Sequence, residues 1–229
     1  MTIPAEALSY IENLKTVYRQ NANPDFAFWM AKYMKDKFVF YGIKKPDRVI
    51  IRKEFHNLFG WPPVENVNEV AALLWQEQER ELHYFAMELL YKFRKNSTPP
   101  IINLYEEIIT SKSWWDTVDY IAVKLVGHYF RTFPEQIGPV TQKWMNSGNM
   151  WLQRSCILFQ LTYKKETDTD LLFSFIRPCT GSKEFFIQKA VGWALREYSK
   201  TNPRAVLSFV EQTPLKPLSK REALRIMMK

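Results

Sequence analysis

Four residues in this sequence pair charge-seeking side chains with a spacing that can bring them together: Trp115, Asp119, Arg154 and Trp193. An ionised Asp attracts positive charge by Coulomb's law, and an indole face does so through its ring quadrupole. A guanidinium offers a rigid bidentate fork to an oxyanion such as phosphate. The set suits a site that stabilises a developing cation next to an anionic backbone. A Trp at helical spacing is more often core than site, so the helical phase of each residue has to decide.

That phase comes from an internal repeat. Four windows spaced 35 residues apart align without gaps: HYFAMELLYKF from His83, VDYIAVKLVGH from Val118, QRSCILFQLTY from Gln153 and QKAVGWALREY from Gln188. Their fourth, eighth and eleventh residues form columns: Ala86, Ile121, Cys156, Val191; then Leu90, Leu125, Gln160, Leu195; then Phe93, His128, Tyr163, Tyr198. The spacing i, i+4, i+7 is the apolar stripe of a packed helix. One step upstream, RVIIRKEFHNL puts Ile51, Phe55 and Leu58 in the same columns. A further helix lies between each pair of windows, and a two-helix unit repeated at this period is a HEAT-, armadillo- or TPR-like solenoid, with no convincing TPR signature.

Each residue turns a helix by about 100°, so the core columns point to about 280–340° from the first residue of a window. Asp119 and Arg154 fall at about 100°, Trp193 at about 140° and Trp115 at about 60°. All four therefore share one face, nearly opposite the core, on successive repeat helices. Trp115 and Asp119 are also i, i+4 neighbours. Trp114 falls at about 320° and is expected in the core; Trp151, at about 160°, lies between cleft edge and inter-helix packing.

The rest of the chain agrees with helices. Gly is scarce, at 7 of 229 residues, and no alternating Val/Ile/Thr pattern suggests a sheet. Proline and polar breakers delimit runs at 5–20, 24–38, 46–58, 67–76, 79–95, 99–110, 113–132, 134–146, 149–164, 168–178, 182–200, 203–212 and 219–228. Asn23-Pro24, Lys45-Pro46, Phe133-Pro134 and Asn202-Pro203 mark helix starts, with Pro in the first turn. The expected architecture is one all-α repeat domain over residues 1–229. A net charge of +8 and a pI of about 9.3 suit a polyanionic partner. The N-terminus MTIPAEALSY has no signal-peptide pattern, and no run of 18 apolar residues forms a membrane span. Cys156 and Cys179 read as buried free thiols, which together with these absences fits a cytoplasmic protein. His56, His83 and His128 lack metal-ligand spacing, no phosphate-binding Gly loop is present, and no cofactor is expected.

The runs TSKSWWDTVDYI, NMWLQRSCILFQL, SKEFFIQKAVGWALREYSKTNP and PLSKREAL resemble the AlkD family of DNA alkylation repair glycosylases, as does NPDFAFWMAKYMKDKFVFYGIKKP near the N-terminus. The similarity runs from about Asn23 to the C-terminus. It implies a HEAT-like superhelix whose concave face holds duplex DNA containing alkylated purines, acting in a bacterial cytoplasm as a nucleoid-associated monomer. Carried over by position, Trp115, Asp119 and Trp193 resemble the catalytic cluster, and Arg154 the residue that contacts phosphate beside the lesion. Tyr33 matches a position near the DNA backbone. Lys44 stands where the family is expected to carry a polar residue facing the strand opposite the lesion. Lys189 and Arg196 are grouped with these as DNA-binding cations.

The chemistry so implied is hydrolysis of an N-glycosidic bond. N3-alkyladenine and N7-alkylguanine carry positive charge that is neutralised as the base leaves, so the sugar cation is what needs stabilising. A carboxylate about 4 Å away contributes on the order of 4 kcal/mol at an effective dielectric near 20, roughly 10³-fold in rate. Asp119 could also orient the attacking water. The resemblance further implies that the lesion stays in the duplex rather than being flipped into a pocket. Lys216, Lys220, Arg221, Arg225 and Lys229 form a basic C-terminal cluster, read either as a solvated face or as phosphate contacts. The alternative function is a non-catalytic HEAT-like module that binds nucleic acid or protein.

Overall fold

Asparagine and proline set many of the helix starts. Asn23 accepts from the Phe26 amide at 3.0 Å ahead of Pro24, and Asn202 accepts from the Ala205 amide at 3.1 Å ahead of Pro203. Asn149 caps with its side chain the amides of Trp151 and Leu152, and Asp168 that of Leu171. Each supplies an acceptor to amides that have no partner within the helix.

The computed structural model describes residues 5–227, so Lys229 and the last position of the expected 219–228 run lie outside the described residues. The architecture is an all-α helical repeat, with one isolated backbone bridge, Val39 to Glu79, among the described residues. The chain forms two compact units, residues 1–98 and 99–229. The first contains α1 (Ala5–Gln20), α2 (Pro24–Tyr33), α3 (Lys45–Phe59), α4 (Val67–Gln76) and α5 (Arg80–Lys92). Its core is built on Leu14, Tyr18, Phe55, Leu74, Trp75, Leu82 and Phe85.

The second unit contains α6 (Ile101–Thr110), α7 (Trp115–Tyr120), a π-helical turn (Ile121–Val126), α8 (Gly127–Thr132), α9 (Ile137–Asn146), α10 (Met150–Leu158), α11 (Thr169–Ile176), α12 (Phe185–Ser199), α13 (Pro203–Gln212) and α14 (Pro217–Leu224). Helix α7, the π turn and α8 occupy the single run expected at 113–132. The π turn begins two residues after Asp119; such turns often interrupt α-helices at functional sites.

The first two core columns are buried: Ala86, Ile121, Cys156 and Val191, then Leu90, Leu125, Gln160 and Leu195, none more than 4% exposed. Gln160 is satisfied by the backbone of Asp168, accepting its N–H at 2.7 Å and donating to its carbonyl at 3.3 Å. The third column is looser. Phe93 is the C-cap of α5 and Tyr163 lies beyond the end of α10, so the helical phase no longer applies to them. Leu58 departs outright, at 76% exposed.

Several helices are shorter than their sequence runs, α2 and α10 by the most among the unbroken ones. Helix α2 ends at Tyr33 because Lys35 and Asp36 adopt positive φ of 59° and 56°, which no right-handed helix can continue through. Helix α10 ends at Leu158, and Lys164, at φ 55°, closes the segment that follows.

Candidate functional site

The second unit packs α10 against α7 and against α12, and this stacking positions the charged pair. Arg154, on α10, donates from Nε to Asp119 Oδ1 at 2.7 Å and from Nη2 to Oδ2 at 2.8 Å. Its remaining Nη1 donates to the carbonyl of Phe186, in the first turn of α12. One guanidinium thus ties together three stacked helices, α7, α10 and α12. Arg154 is 4% exposed, and the Asp119 side chain 16%. Burial pushes the Asp119 carboxyl up from the usual range, against the pull of the Arg154 guanidinium, while nearby Asp116 adds a further push upward. Asp119 and Arg154 share one face, as their helical phase predicts, and they also hold each other, with the guanidinium turned to Asp119 and Phe186.

Aromatic residues gather at the starts of the same three helices. Trp114 meets Phe186 edge-on at 5.1 Å and lies 6.0 Å from Trp151, and Trp151 lies 5.0 Å from Phe186. Trp114 is the N-cap of α7, with extended backbone at φ −157° and ψ 161°. It therefore sits off the helical wheel, half-buried, rather than in the core position its phase suggested. Trp151 belongs to this cluster. Trp115 opens α7 one turn before Asp119 and is half-buried. Trp193 is also half-buried; it lies seven residues beyond Phe186 on α12, hence on the same side of that helix.

Lys189, Trp193 and Arg196 are spaced i, i+4, i+7 and share a face of α12. Both cations are engaged by Glu222 of α14, Lys189 at 2.8 Å and Arg196 in a closer pair. Helix α14 can lie this close because residue 192 is Gly: a Cβ there would come within 2.4 Å of Glu222 Cβ. Ser219 adds a bond from its hydroxyl to the Gln188 carbonyl at 3.0 Å. The Lys189 ammonium holds the Glu222 carboxyl below its ordinary value; burial opposes this and Arg196 reinforces it. Arg225 of the basic C-terminal cluster approaches the same carboxylate at 4.0 Å.

The first unit carries the two other residues singled out from sequence. Tyr33 ends α2 and is 68% exposed. Lys44 is the N-cap of α3, and its ammonium lies 3.3 Å from the centre of the Phe26 ring. The loop carrying Lys44 is pinned by a residue that sequence reasoning missed. Glu81, fully buried, accepts the amides of Tyr41, Gly42 and Ile43 at 3.1, 2.9 and 3.1 Å. Burial pushes its carboxyl up, and the backbone amides oppose that. Gly42, at φ +87°, has no room for a side chain, since a Cβ would lie 2.0 Å from the Asn23 carbonyl oxygen. The loop thereby locks onto the start of α2.

Among the described residues no three His, Cys, Asp or Glu side chains gather as metal ligands, and no helix is long and apolar enough to cross a membrane. Cys156 and Cys179 are buried, and burial pushes both thiols up, that of Cys179 to about 11.

Residues 14–227 match the family model described as DNA alkylation repair enzyme. The fold is similar to a solved structure described as "Predicted DNA alkylation repair enzyme from Enterococcus faecalis", with a TM-score of 0.83 and 32% sequence identity over 91% of this chain and 97% of that one. No curated protein matches significantly. With nearly its whole length covered by both comparisons, and with the Trp, Asp and Arg motifs inside the matched span, this chain belongs to the DNA alkylation repair enzyme family, of AlkD-like type.

Proposed function

We propose that the chain is a DNA glycosylase that hydrolyses the N-glycosidic bond of positively charged alkylated purines in duplex DNA, acting in base excision repair. The observation that carries this reading is a largely buried carboxylate, Asp119, held by both oxygens on Arg154, on the side where helical phase also puts Trp115 and Trp193. In the reaction the C1′–N bond breaks, and its electron pair leaves with the base and neutralises the base's charge. Water adds to C1′ and gives up a proton. Asp119 lies ready to stabilise the sugar cation and orient that water, while the indoles exclude bulk solvent and attract the cation at about 0.5–2 kcal/mol each.

The Arg154 pairing changes the expected magnitude. A carboxylate about 4 Å from the sugar gives roughly 4 kcal/mol at an effective dielectric near 20, but a guanidinium about 8 Å away takes back roughly 2. The net corresponds to roughly 30-fold in rate, rising towards 10³-fold if a DNA phosphate draws the guanidinium away. Arg154 is thus proposed as a positioning residue in the free protein and as a phosphate contact in the complex. Lys189, Arg196, Tyr33 and Lys44 are proposed DNA contacts, the first two in competition with Glu222. The 35-residue register runs from Arg48 to Tyr198 without a break at residue 98, which supports reading 1–229 as one repeat array.

The test is release of free 7-methylguanine or 3-methyladenine from methylated duplex DNA by the pure protein under single-turnover conditions. Release by the wild type and its loss in Asp119→Asn are expected. No release by the wild type leaves the non-catalytic DNA-binding module as the reading.

A further inference from the structure

Helix α2 differs from the other long helices in burying none of its residues. Its sequence, PDFAFWMAKY, is nonetheless rich in aromatic side chains. Trp29 is 67% exposed, and Phe26 37%. With Tyr33, Phe40, Tyr84, Lys44 and two methionines, these side chains line a groove of about 430 Å³. That size falls within the roughly 300–1,000 Å³ typical of small-ligand sites.

The lining itself selects the guest. It consists of aromatic rings, thioethers and one ammonium, with no carboxylate. A cationic guest is disfavoured, because the Lys44 ammonium already sits over the Phe26 ring, 3.3 Å from its centre, where a guest cation would bind. What complements ring faces beside a single cation is a flat π-system that carries a negative charge. A nucleobase with its own phosphate has both parts: the base stacks on aromatic side chains and the phosphate meets the lysine. The groove is also held in shape. Glu81 fixes the amides of residues 41–43, and Gly42 packs against the Asn23 carbonyl, so the Lys44 loop and the start of α2 hold their spacing.

We propose that this groove takes one unpaired nucleotide of a DNA strand, its base against Trp29 and its phosphate on Lys44. The inference rests on DNA being the partner, as in the reading above, and adds a strand feature, an unpaired base, that the glycosylase reading does not contain.

The experiment compares two undamaged duplexes at one salt concentration by fluorescence anisotropy: one fully paired, the other carrying a single unpaired adenosine. The wild type is expected to favour the second by about tenfold, within the range for one base stacked on aromatic side chains. Trp29→Ala is expected to bring the ratio close to one, Trp29→Phe to keep most of it, and Leu58→Ala, an exposed apolar residue on α3, to leave it intact. Circular dichroism confirms that each variant is folded. With 2-aminopurine as the unpaired base, fluorescence quenching on binding is expected for the wild type and not for Trp29→Ala. Equal affinity of the wild type for the two duplexes overturns the proposal. So does a preference that survives Trp29→Ala, or saturable binding of free dAMP without any preference for the unpaired duplex. Release of 7-methylguanine from fully paired methylated DNA is read separately: its failure removes the glycosylase reading while the ratio still judges the groove.

Discussion

Helices α2 and α12 both present aromatic and basic side chains, yet they handle them in opposite ways. Helix α12 buries Ile187, Ala190, Val191, Ala194, Leu195 and Tyr198, and its cations Lys189 and Arg196 are held by Glu222. Next to it, Arg154 is held by Asp119. Helix α2 buries no residue, and the cation beside it, Lys44, rests on an aromatic ring. The formal charge of +8 therefore overstates what the second unit offers an incoming polyanion. A phosphate approaching α12 must compete with a carboxylate, whereas at Lys44 it competes with a ring contact of about 0.5–2 kcal/mol. The α12 face is organised before any ligand arrives; the α2 face is organised only through its backbone.

The largest expected effect comes from breaking the organised face at its tie. Arg154→Ala leaves the Asp119 carboxylate largely buried without its counter-ion and frees the Phe186 carbonyl, which is expected to destabilise the fold by about 3–5 kcal/mol. Chemical denaturation checks it. A loss below about 1 kcal/mol would show that solvent reaches the pair as it does a surface salt bridge.

Asp119→Asn comes next: it keeps the side-chain volume and one acceptor oxygen but leaves the buried Arg154 guanidinium without its counter-ion, so chemical denaturation accompanies the rate measurement. Excision of 7-methylguanine is expected to fall by roughly 30- to 10³-fold, the lower figure if Arg154 stays paired through the reaction. Burial raises the Asp119 carboxyl above its ordinary value, so the ionised form is lost as pH falls through that raised value. Single-turnover rates of the wild type should fall on the acid side through that raised value, and the Asp119→Asn variant should lack this limb. A wild-type profile that stays flat down to the ordinary carboxylate range would remove Asp119 as the titrating group.

Much of this was legible in the sequence, and most of the failures have a common cause; Leu58, inside α3 yet 76% exposed, is the exception. The gapless register located the buried columns and brought Asp119 and Arg154 to one face, because nearly all of those residues lie inside helices; Gln160, past the end of α10, is held in by the Asp168 backbone. The phase argument failed for Trp114, which is a cap, and for Phe93 and Tyr163, which lie at or past a helix end. It had no means of finding Glu81 or Glu222. Their partners lie 38 to 40 and 26 to 33 residues away, and one partner set is backbone amides, which carry no sequence signal. Glycine was the available clue. Gly42, Gly127 and Gly192 mark the three places where another segment approaches within a Cβ's reach, and a buried carboxylate lies next to the first and the last.

A smaller effect is expected in the first unit. Glu81→Gln keeps one oxygen for the Gly42 and Ile43 amides but replaces the oxygen that accepts from Tyr41 with an NH2 donor, leaving that buried N–H without an acceptor. The expected cost is about 1–3 kcal/mol. Hydrogen exchange should show faster exchange at the Tyr41, Gly42 and Ile43 amides than in the wild type. Unchanged protection there would mean that the loop is held by α2 packing alone.

The smallest effect on stability, and the sharpest test of the comparison, is Glu222→Gln. The Lys189 and Arg196 pairs are partly exposed, so their direct contribution is on the order of 1 kcal/mol or less after solvent screening. Because the Glu222 carboxyl is held below its ordinary value, that contribution is fully present above the unfolded carboxylate value and is lost as pH falls through the folded one. The melting temperature of the variant should therefore sit slightly below that of the wild type at neutral pH, and the two should converge in acid. DNA binding should change in the opposite direction. Freed of Glu222, Lys189 and Arg196 can each neutralise a phosphate, so affinity for duplex should rise. The slope of log affinity against log salt should steepen by up to about two units, one per cation released to phosphate. If Glu222 only fastens α14 to α12, melting falls and the salt slope stays where it was; the two faces then differ in packing but not in the charge they offer to DNA.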